Sequence, residues 1–525
     1  MSSRKLDLEG RLLLIILSLL TVSMVVITSV VYLRETSAFR FFDEENNIVA
    51  GYFMSTGKLL YRDIFMNHNP LPILLSAIIQ RIFVIQTLFE LVKYHRLFMI
   101  CFALAANTIL LVRFRQKAFV FIFVYEFIKF YLAGQMFLAE GMIAYAFAYL
   151  ILTLTEARLQ NKKIGTFDLI FSTALFVFIV LSREPYVPVA CVLFGLVLYF
   201  SHSRRLSMWC GIAATCIIVL FMVQFDMSEF YKQVILLNQS LAKGDLKDQN
   251  NAQLFSGLSQ IYQYVLVGIQ LDKPVYIILG AMSITLIFLT YRMTRVFTAR
   301  KRILFVLLVL SVLFLAGIRN YKAGSEWYGM YRSIPYIAIV LSFISGVVSV
   351  RFATVAMIFV LGILLIHPRS HLREKRINAD EYYIQYSRSN QSAQVINLLC
   401  SKYPLPCTLH IDDIDVYLYW ITKKPPVYRY TFYYPVNKAY LDYKQIREQE
   451  LVRNPPVIYY DGSCMVDPTY LPQSLIPSFI FLTQTSTATK KEKQDCIAVH
   501  SKLLPYIDDD IRSAIASHGK RLDTQ

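Results

Sequence analysis

Long apolar runs separated by short polar loops fill the first two thirds of the chain, and the pattern then stops. The runs fall at 12–33, 96–112, 118–134, 141–155, 167–181, 187–201, 206–225, 274–291, 303–319, 331–349 and 352–367. Helices of this length cover most or all of the ~30 Å hydrocarbon core of a bilayer. A further run, 71–92, carries Arg81, Glu90 and Lys93 and opens with Pro70 and Pro72, which suits a helix lying along the membrane surface. The expected fold is mainly α: a polytopic membrane protein with about eleven transmembrane helices, outer juxtamembrane helices and a C-terminal soluble α/β domain. The transmembrane domain covers 1–367, with outer loops at 34–95 and 226–273, and the soluble domain covers 368–525. In that tail, 408–411, 416–421, 456–460 and 479–482 are strand-like, and 381–399 and 438–453 are helical in pattern.

Composition agrees. Of 525 residues, 56% are hydrophobic and 17% charged, with a mean hydropathy of +0.46, more apolar surface than a soluble protein can cover. The net charge of +17 would suggest nucleic acid in a soluble chain, but no nucleic-acid module is present, and cytoplasmic loops collect Lys and Arg. The basic loops are Arg113, Arg115 and Lys117; Arg158, Lys162 and Lys163; Arg204 and Arg205; and 292–302. With 71–92 on the outer surface, all of these fall inside. Arg4, Lys5 and Arg11 before the first run read as an uncleaved signal-anchor with a cytoplasmic N-terminus, and the C-terminal domain is then outside. Cys400, Cys407, Cys464 and Cys496 all lie in the tail, where Cys400–Cys407 and Cys464–Cys496 are the preferred disulfides. Cys101, Cys191, Cys210 and Cys216 read as small core residues.

The first outer loop carries the candidate chemistry. Asp43 and Glu44 follow the first run directly, and Tyr61-Arg62-Asp63 and His68-Asn69-Pro70 come next. Basic residues on the outer side run against the positive-inside bias: Arg40, Lys58, Arg62, Arg96, Arg183, Arg319, Lys322 and Arg332. Taken as a set they suit a lipid phosphate, because arginine grips phosphate oxygens with a planar fork. Singly, they pair with Glu44, Glu140, Glu184 or Glu326, or reach for headgroups. Tyr321, Trp327, Tyr328 and Tyr331 either stack on a sugar or lipid or form an interfacial belt. The aromatic clusters 417–420 and 428–434 either hold glycan or pack as core.

The stretch 42–71 resembles the first outer loop of the GT-C membrane glycosyltransferases, in particular the protein O-mannosyltransferase and aminoarabinose-transferase branch. The matching residues are Asp43-Glu44, Gly57-Lys-Leu-Leu-Tyr61-Arg62-Asp63 and His68-Asn69-Pro70-Leu71, with Asn69 where proline is common. Arg96 opening the second span, Glu140 after the third and the Tyr331 to Pro335 entry to a late span are similar as well. The resemblance implies a sugar donor on a polyprenyl (or dolichyl) phosphate and an inverting transfer to a glycan, lipid or protein acceptor on the outer face; the short loops and compact tail favour the periplasmic face of a bacterial inner membrane over an endoplasmic reticulum. Asp43 is then the base, and Glu44 is either its helper or a structural partner. Arg96, Arg332, Arg319, Lys322 and Arg62 bind the leaving phosphate, and Asp63, His68, Glu140, Tyr328 and Tyr331 contact substrate. No cofactor is required. A divalent ion shared by Asp43, Glu44 and Asp63 is conceivable on its oxygen ligands but not favoured. The competing readings are a transporter or flippase of lipid-linked saccharides, for which Glu126 and Lys129 supply charge within a span, and an O-antigen-ligase-like enzyme.

Overall fold

A computed structural model describes residues 2–34, 42–239, 274–294, 299–317, 331–366, 379–411, 415–431, 441–461, 471–482 and 496–513. In chain order the helices are α1 (Ser2–Arg34), α2 (Phe42–Ser55), α3 (Leu71–Ile82), α4 (Leu88–Phe114), α5 (Phe119–Ile128), α6 (Ala139–Leu159), α7 (Thr166–Ser182), α8 (Val187–Phe200), α9 (Arg204–Met222) and the short α10 (Met227–Phe230). They continue with α11 (Pro274–Thr294), α12 (Ala299–Ala316), α13 (Ile334–Val347), α14 (Val350–Ile366), α15 (Ala379–Lys402), α16 (Tyr417–Thr422) and α17 (Leu441–Arg453). The strands are β1 (Ile64–Phe65), β2 (Leu409–Ile411), β3 (Tyr430–Thr431), β4 (Ile458–Asp461), β5 (Phe479–Phe481) and β6 (Cys496–His500).

The chain divides into two compact units. The first comprises Met1–Thr36, Arg96–Gln224 and Gln249–Arg376; the second comprises Ser37–His95, Phe225–Asp248 and Ile377–Gln525.

The first unit is a helix bundle with an apolar exterior. Among the described residues, Leu12–Leu33, Leu88–Leu132, Ala139–Leu159 and Arg204–Met222 are long and apolar enough to cross a membrane, and several further apolar helices are shorter. Leu12, Leu19, Ile212, Leu220, Phe288 and Val355 are exposed, as lipid-facing side chains must be. The helices α5, α6 and α13 are buried nearly all round and form its centre. Gly346 of α13 lets that helix approach α6 so closely that an added Cβ would overlap Thr155 Oγ1.

Two ion networks mark opposite ends of the α6–α7 pair. At one end Arg183 Nε donates to Glu140 Oε1 at 2.9 Å. At the other, Arg113 donates to both oxygens of Asp168 (2.6 Å each) and to Glu156 (2.9 Å), while the Tyr149 hydroxyl also donates to Asp168. From Glu140 to Glu156 is about 24 Å along α6 at 1.5 Å per residue. That approaches the ~30 Å hydrocarbon thickness, and the α6 residues between them are mostly apolar.

The run 71–92 is resolved into α3 and the start of α4, broken between Ile82 and Leu88. At about 18 Å, α3 is too short to cross a bilayer. The expected spans 96–112 and 118–134 form an almost unbroken helical run from Leu88 to Leu132, turned at Arg115, whose φ is 51°. Of the membrane cysteines only Cys210 is buried; Cys101, Cys191 and Cys216 are exposed and are not core residues. A thiol is apolar enough to be tolerated facing lipid.

The second unit gathers the first outer loop, residues 225–248 and the tail. Its main sheet runs β2-β4-β6-β5, with β2 parallel to β4 and the other pairings antiparallel. The strand-like 416–421 is instead α16: Tyr417, Leu418, Tyr419 and Trp420 are all buried. A short apolar run has no decisive periodicity, and here burial on all sides selects the helix. These rings pack as core and do not line a glycan surface. Cys400 and Cys407 are disulfide-bonded with Cα atoms 5.5 Å apart. Cys464 lies outside the described residues, so the pairing with Cys496 does too.

Candidate active site

In the second unit, Asp43, Glu44 and Glu45 form the first turn of α2, where carboxylates complement the positive end of the helix dipole. Asp43 is half-buried, whereas Glu44 and Glu45 are 1% exposed, and Asn46 and Asn47 behind them are also buried. Polar groups of this density are costly to desolvate, so the start of α2 is built for more than solubility. One turn and a half later Gly51 meets α3, where an added Cβ would overlap Ser76 Oγ. The Ser76 hydroxyl and His95 Nε2 are 2.8 Å apart, and His95 Nδ1 is 2.7 Å from the Leu91 carbonyl. A carbonyl only accepts, so Nδ1 carries the proton and Ser76 donates to Nε2. The Ser76–His95 bond ties α3 to α4, and the Gln80 side-chain amide of α3 donates to the Ile48 carbonyl at 2.9 Å, fixing α2 against α3.

The Tyr-Arg-Asp triplet divides its labour. Arg62 is largely exposed and pairs with Asp63 at 3.1 Å. Asp63 also accepts from the Leu59 N–H at 2.9 Å. Partial burial pushes its carboxyl up, but those bonds and the charges of Arg62 and Lys58 hold it below the usual range. These bonds engage Asp63 in the turn; among the described residues no group of three or more His, Cys, Asp or Glu that could hold a metal ion is found. Tyr61 is the buried member. Its hydroxyl donates to the His68 carbonyl at 2.8 Å, so His68 contributes its backbone to the turn.

In the first unit, Glu140 and Arg183 are both buried. Glu184, Tyr331 and Tyr186 lie within electrostatic reach of Arg183. The Tyr186 hydroxyl donates to the Arg332 carbonyl at 2.7 Å, and Arg332 Nε donates to the Tyr331 hydroxyl at 3.3 Å. Arg96 is 2% exposed. It lies one turn before Met99, whose methyl packs against Gly141, so it belongs to this same end of the bundle. The structure thus brings Glu140, Arg183, Tyr331 and Arg332 together, with Arg96 nearby. Asp43, Glu44, Arg62, Asp63 and His68 belong to the other unit. Arg319, Lys322, Tyr321, Trp327 and Tyr328 lie outside the described residues, as do Arg40 and most of the loop 226–273.

Comparison with solved structures finds matches over most of the chain. It is similar to ArnT from Cupriavidus metallidurans. The apo structure of that protein matches at a TM-score of 0.47 and 12% identity over 92% of this chain and 98% of its own. Its structure bound to undecaprenyl phosphate matches at 0.47 and 10%, over 91% and 97%. No family model and no curated protein matches the sequence.

Several site-building residues carry no sequence signal. Gln233 is fully buried, accepts from the Met66 N–H at 2.9 Å, and donates to the Tyr61 carbonyl at 2.7 Å and to Glu229 at 3.0 Å. Arg429 pairs with the same Glu229 at 2.7 Å and donates to the Tyr61 carbonyl at 3.3 Å. Phe225 and Phe230 pack edge-on against the Tyr61 ring, and β1 pairs in parallel with β3. A lone Gln and an isolated Arg in polar loops give no periodicity to read, and their roles depend on contacts far away in sequence.

Proposed function

We propose that this chain is an integral-membrane glycosyltransferase that moves a sugar from a polyprenyl-phosphate carrier to a glycan, lipid or protein acceptor, with inversion. The observation that carries the reading is the buried acidic turn that opens α2 directly after the N-terminal membrane helix α1. Asp43, the half-buried member, is the base that takes the acceptor proton as the nucleophile attacks the anomeric carbon. Glu44 positions it. Positive charge stabilises the departing lipid phosphate: Arg96 and Arg332 first, then Arg319 and Lys322, with Arg62 at the edge. Glu140 orients sugar through its pairing with Arg183, and Asp63, His68, Tyr328 and Tyr331 complete the substrate surface. No metal is required.

The proposed topology has about eleven crossings in a bacterial inner membrane, with the N-terminus cytoplasmic and a soluble α/β domain over 368–525 periplasmic. The Glu140–Arg183 end of the bundle faces the periplasm. The transporter reading finds no support in its intramembrane charges: Lys129 and Glu126 are 2.6 Å apart, both buried, and capped by Tyr145 and Asn107, a closed pair and not a path.

The test is glycan mass spectrometry on cells carrying the wild-type chain, Asp43→Asn or Glu44→Gln at matched membrane levels. Loss of one glycan mass in Asp43→Asn is expected, with a smaller defect in Glu44→Gln. Full transfer by Asp43→Asn removes the base and with it this assignment.

A further inference from the structure

A cavity of about 190 Å³ lies within the first unit, toward the end marked by Arg113, Glu156 and Asp168. Its wall is almost wholly apolar and draws on five helices, through Leu154, Leu193, Leu286, Phe305, Val312 and Phe343. A single charged residue, Arg158 at the last turn of α6, stands among the lining groups.

The rim beyond Arg158 is strongly basic. Lys162 and Lys163 follow in the α6–α7 turn, and Arg204 and Arg205 open α9; all five cations are exposed. The two loops are stitched together by a parallel bridge between Ile164 and Ser201, with the Ile164 N–H donating to the Phe200 carbonyl at 3.0 Å and the His202 N–H to the Ile164 carbonyl at 3.2 Å. Phe200 itself lines the cavity, so the basic rim and the apolar hollow are one feature. Among the described residues, Glu156 and Asp168 at this end pair with Arg113 and Lys117. The first turn of α9 contains no acid, so its two arginines add to a helix end that is already positive.

We propose that this feature is a binding site for an anionic phospholipid of the adjacent leaflet, one acyl chain entering the cavity and the headgroup phosphate held by Arg158, Lys162, Lys163 and the start of α9. In a bilayer an apolar cavity gains little from one hydrocarbon chain over another, so selectivity resides in the headgroup charge. Basic residues at such a surface each favour an anionic lipid about fivefold. The site lies at the end of the bundle opposite Glu140 and Arg183, and it does not depend on the donor reading above.

The experiment is native mass spectrometry of the full-length protein, delipidated in detergent and titrated with phosphatidylglycerol, phosphatidylcholine or undecaprenyl phosphate. One phosphatidylglycerol is expected to bind in preference to phosphatidylcholine. The variant R158Q/K162Q/K163Q should weaken it about a hundredfold by the same scaling, and Leu196→Trp, which fills the cavity wall, should remove it while sparing the cations. Equal retention of both phospholipids, or unchanged binding in both variants, overturns the proposal. So does displacement of phosphatidylglycerol by undecaprenyl phosphate at this site, which would make the cavity a berth for the carrier.

Discussion

Arg183 Nε donates to Glu140 Oε1 at 2.9 Å with both side chains buried at one end of the membrane bundle. A pair withdrawn from water in this way adds little net stability, yet breaking it is expensive because the survivor is left uncompensated. Glu140→Ala is expected to cost about 3 kcal/mol, and Arg183→Ala a similar amount. The double variant should cost less than the sum. Thermal unfolding in detergent of the four proteins checks this; simple additivity would mean the two residues do not work as a pair.

Gln233 should matter more than the hydroxyl of the tyrosine it supports. Tyr61→Phe removes one bond to the His68 carbonyl, worth about 1 kcal/mol. Gln233→Ala strands the buried Met66 N–H and leaves the Tyr61 carbonyl to Arg429 alone, at about 1–3 kcal/mol. Proteolysis of the loop around Asn67 reads the difference.

Gly51→Ala should separate α2 from α3. The added methyl meets Ser76 Oγ and also the Ala77 backbone nitrogen at 2.9 Å, which cannot swing aside. A loss of about 1–3 kcal/mol is expected, with transfer activity falling further because the acidic turn of α2 moves. Parallel measurement of melting temperature and glycan output distinguishes displacement from simple unfolding.

Lys423 should titrate early. It caps α16 with a φ of 54°, its ammonium sits 3.5 Å over the Trp420 ring and 4.7 Å over Tyr52, and burial of that group lowers it to about 8, although the stem is exposed. The folded protein therefore holds this proton less tightly than the unfolded chain does. Between about pH 8 and 10.5 the unfolded state binds more protons, and stability rises with pH across that window. Pulse acylation with peptide mass spectrometry should find half-maximal labelling of Lys423 near pH 8, well before ordinary lysines.

Removing the Cys400–Cys407 bond should cost about 2–3 kcal/mol, the entropy of a loop of seven residues' separation. Cys400→Ser/Cys407→Ser measured by denaturant unfolding checks the size.

Much of this architecture is written locally in the chain. Membrane helices such as α1 announce themselves by length and apolar content, and the acidic turn of α2 by its place after α1. Strands β2, β4 and β5 coincide with strand-like runs, whereas α16 does not, because six buried residues offer no period to distinguish helix from strand. The hub at Tyr61 was legible only as a motif. Its motif neighbours Arg62 and Asp63 serve the turn, and its true supports, Gln233 and Arg429, come from distant segments that no local pattern connects.

That hub has a consequence for biogenesis. Arg429, which reaches the Tyr61 carbonyl, leaves the ribosome 368 residues after it, and β1 waits equally long for β3. On the proposed topology, the acid-bearing loop is threaded through the membrane early and held unfinished while every later crossing is inserted. A nascent chain truncated before Arg429 should then present that loop to periplasmic chaperones and proteases, and the catalytic competence proposed above should arrive only with the last hundred residues or so of translation.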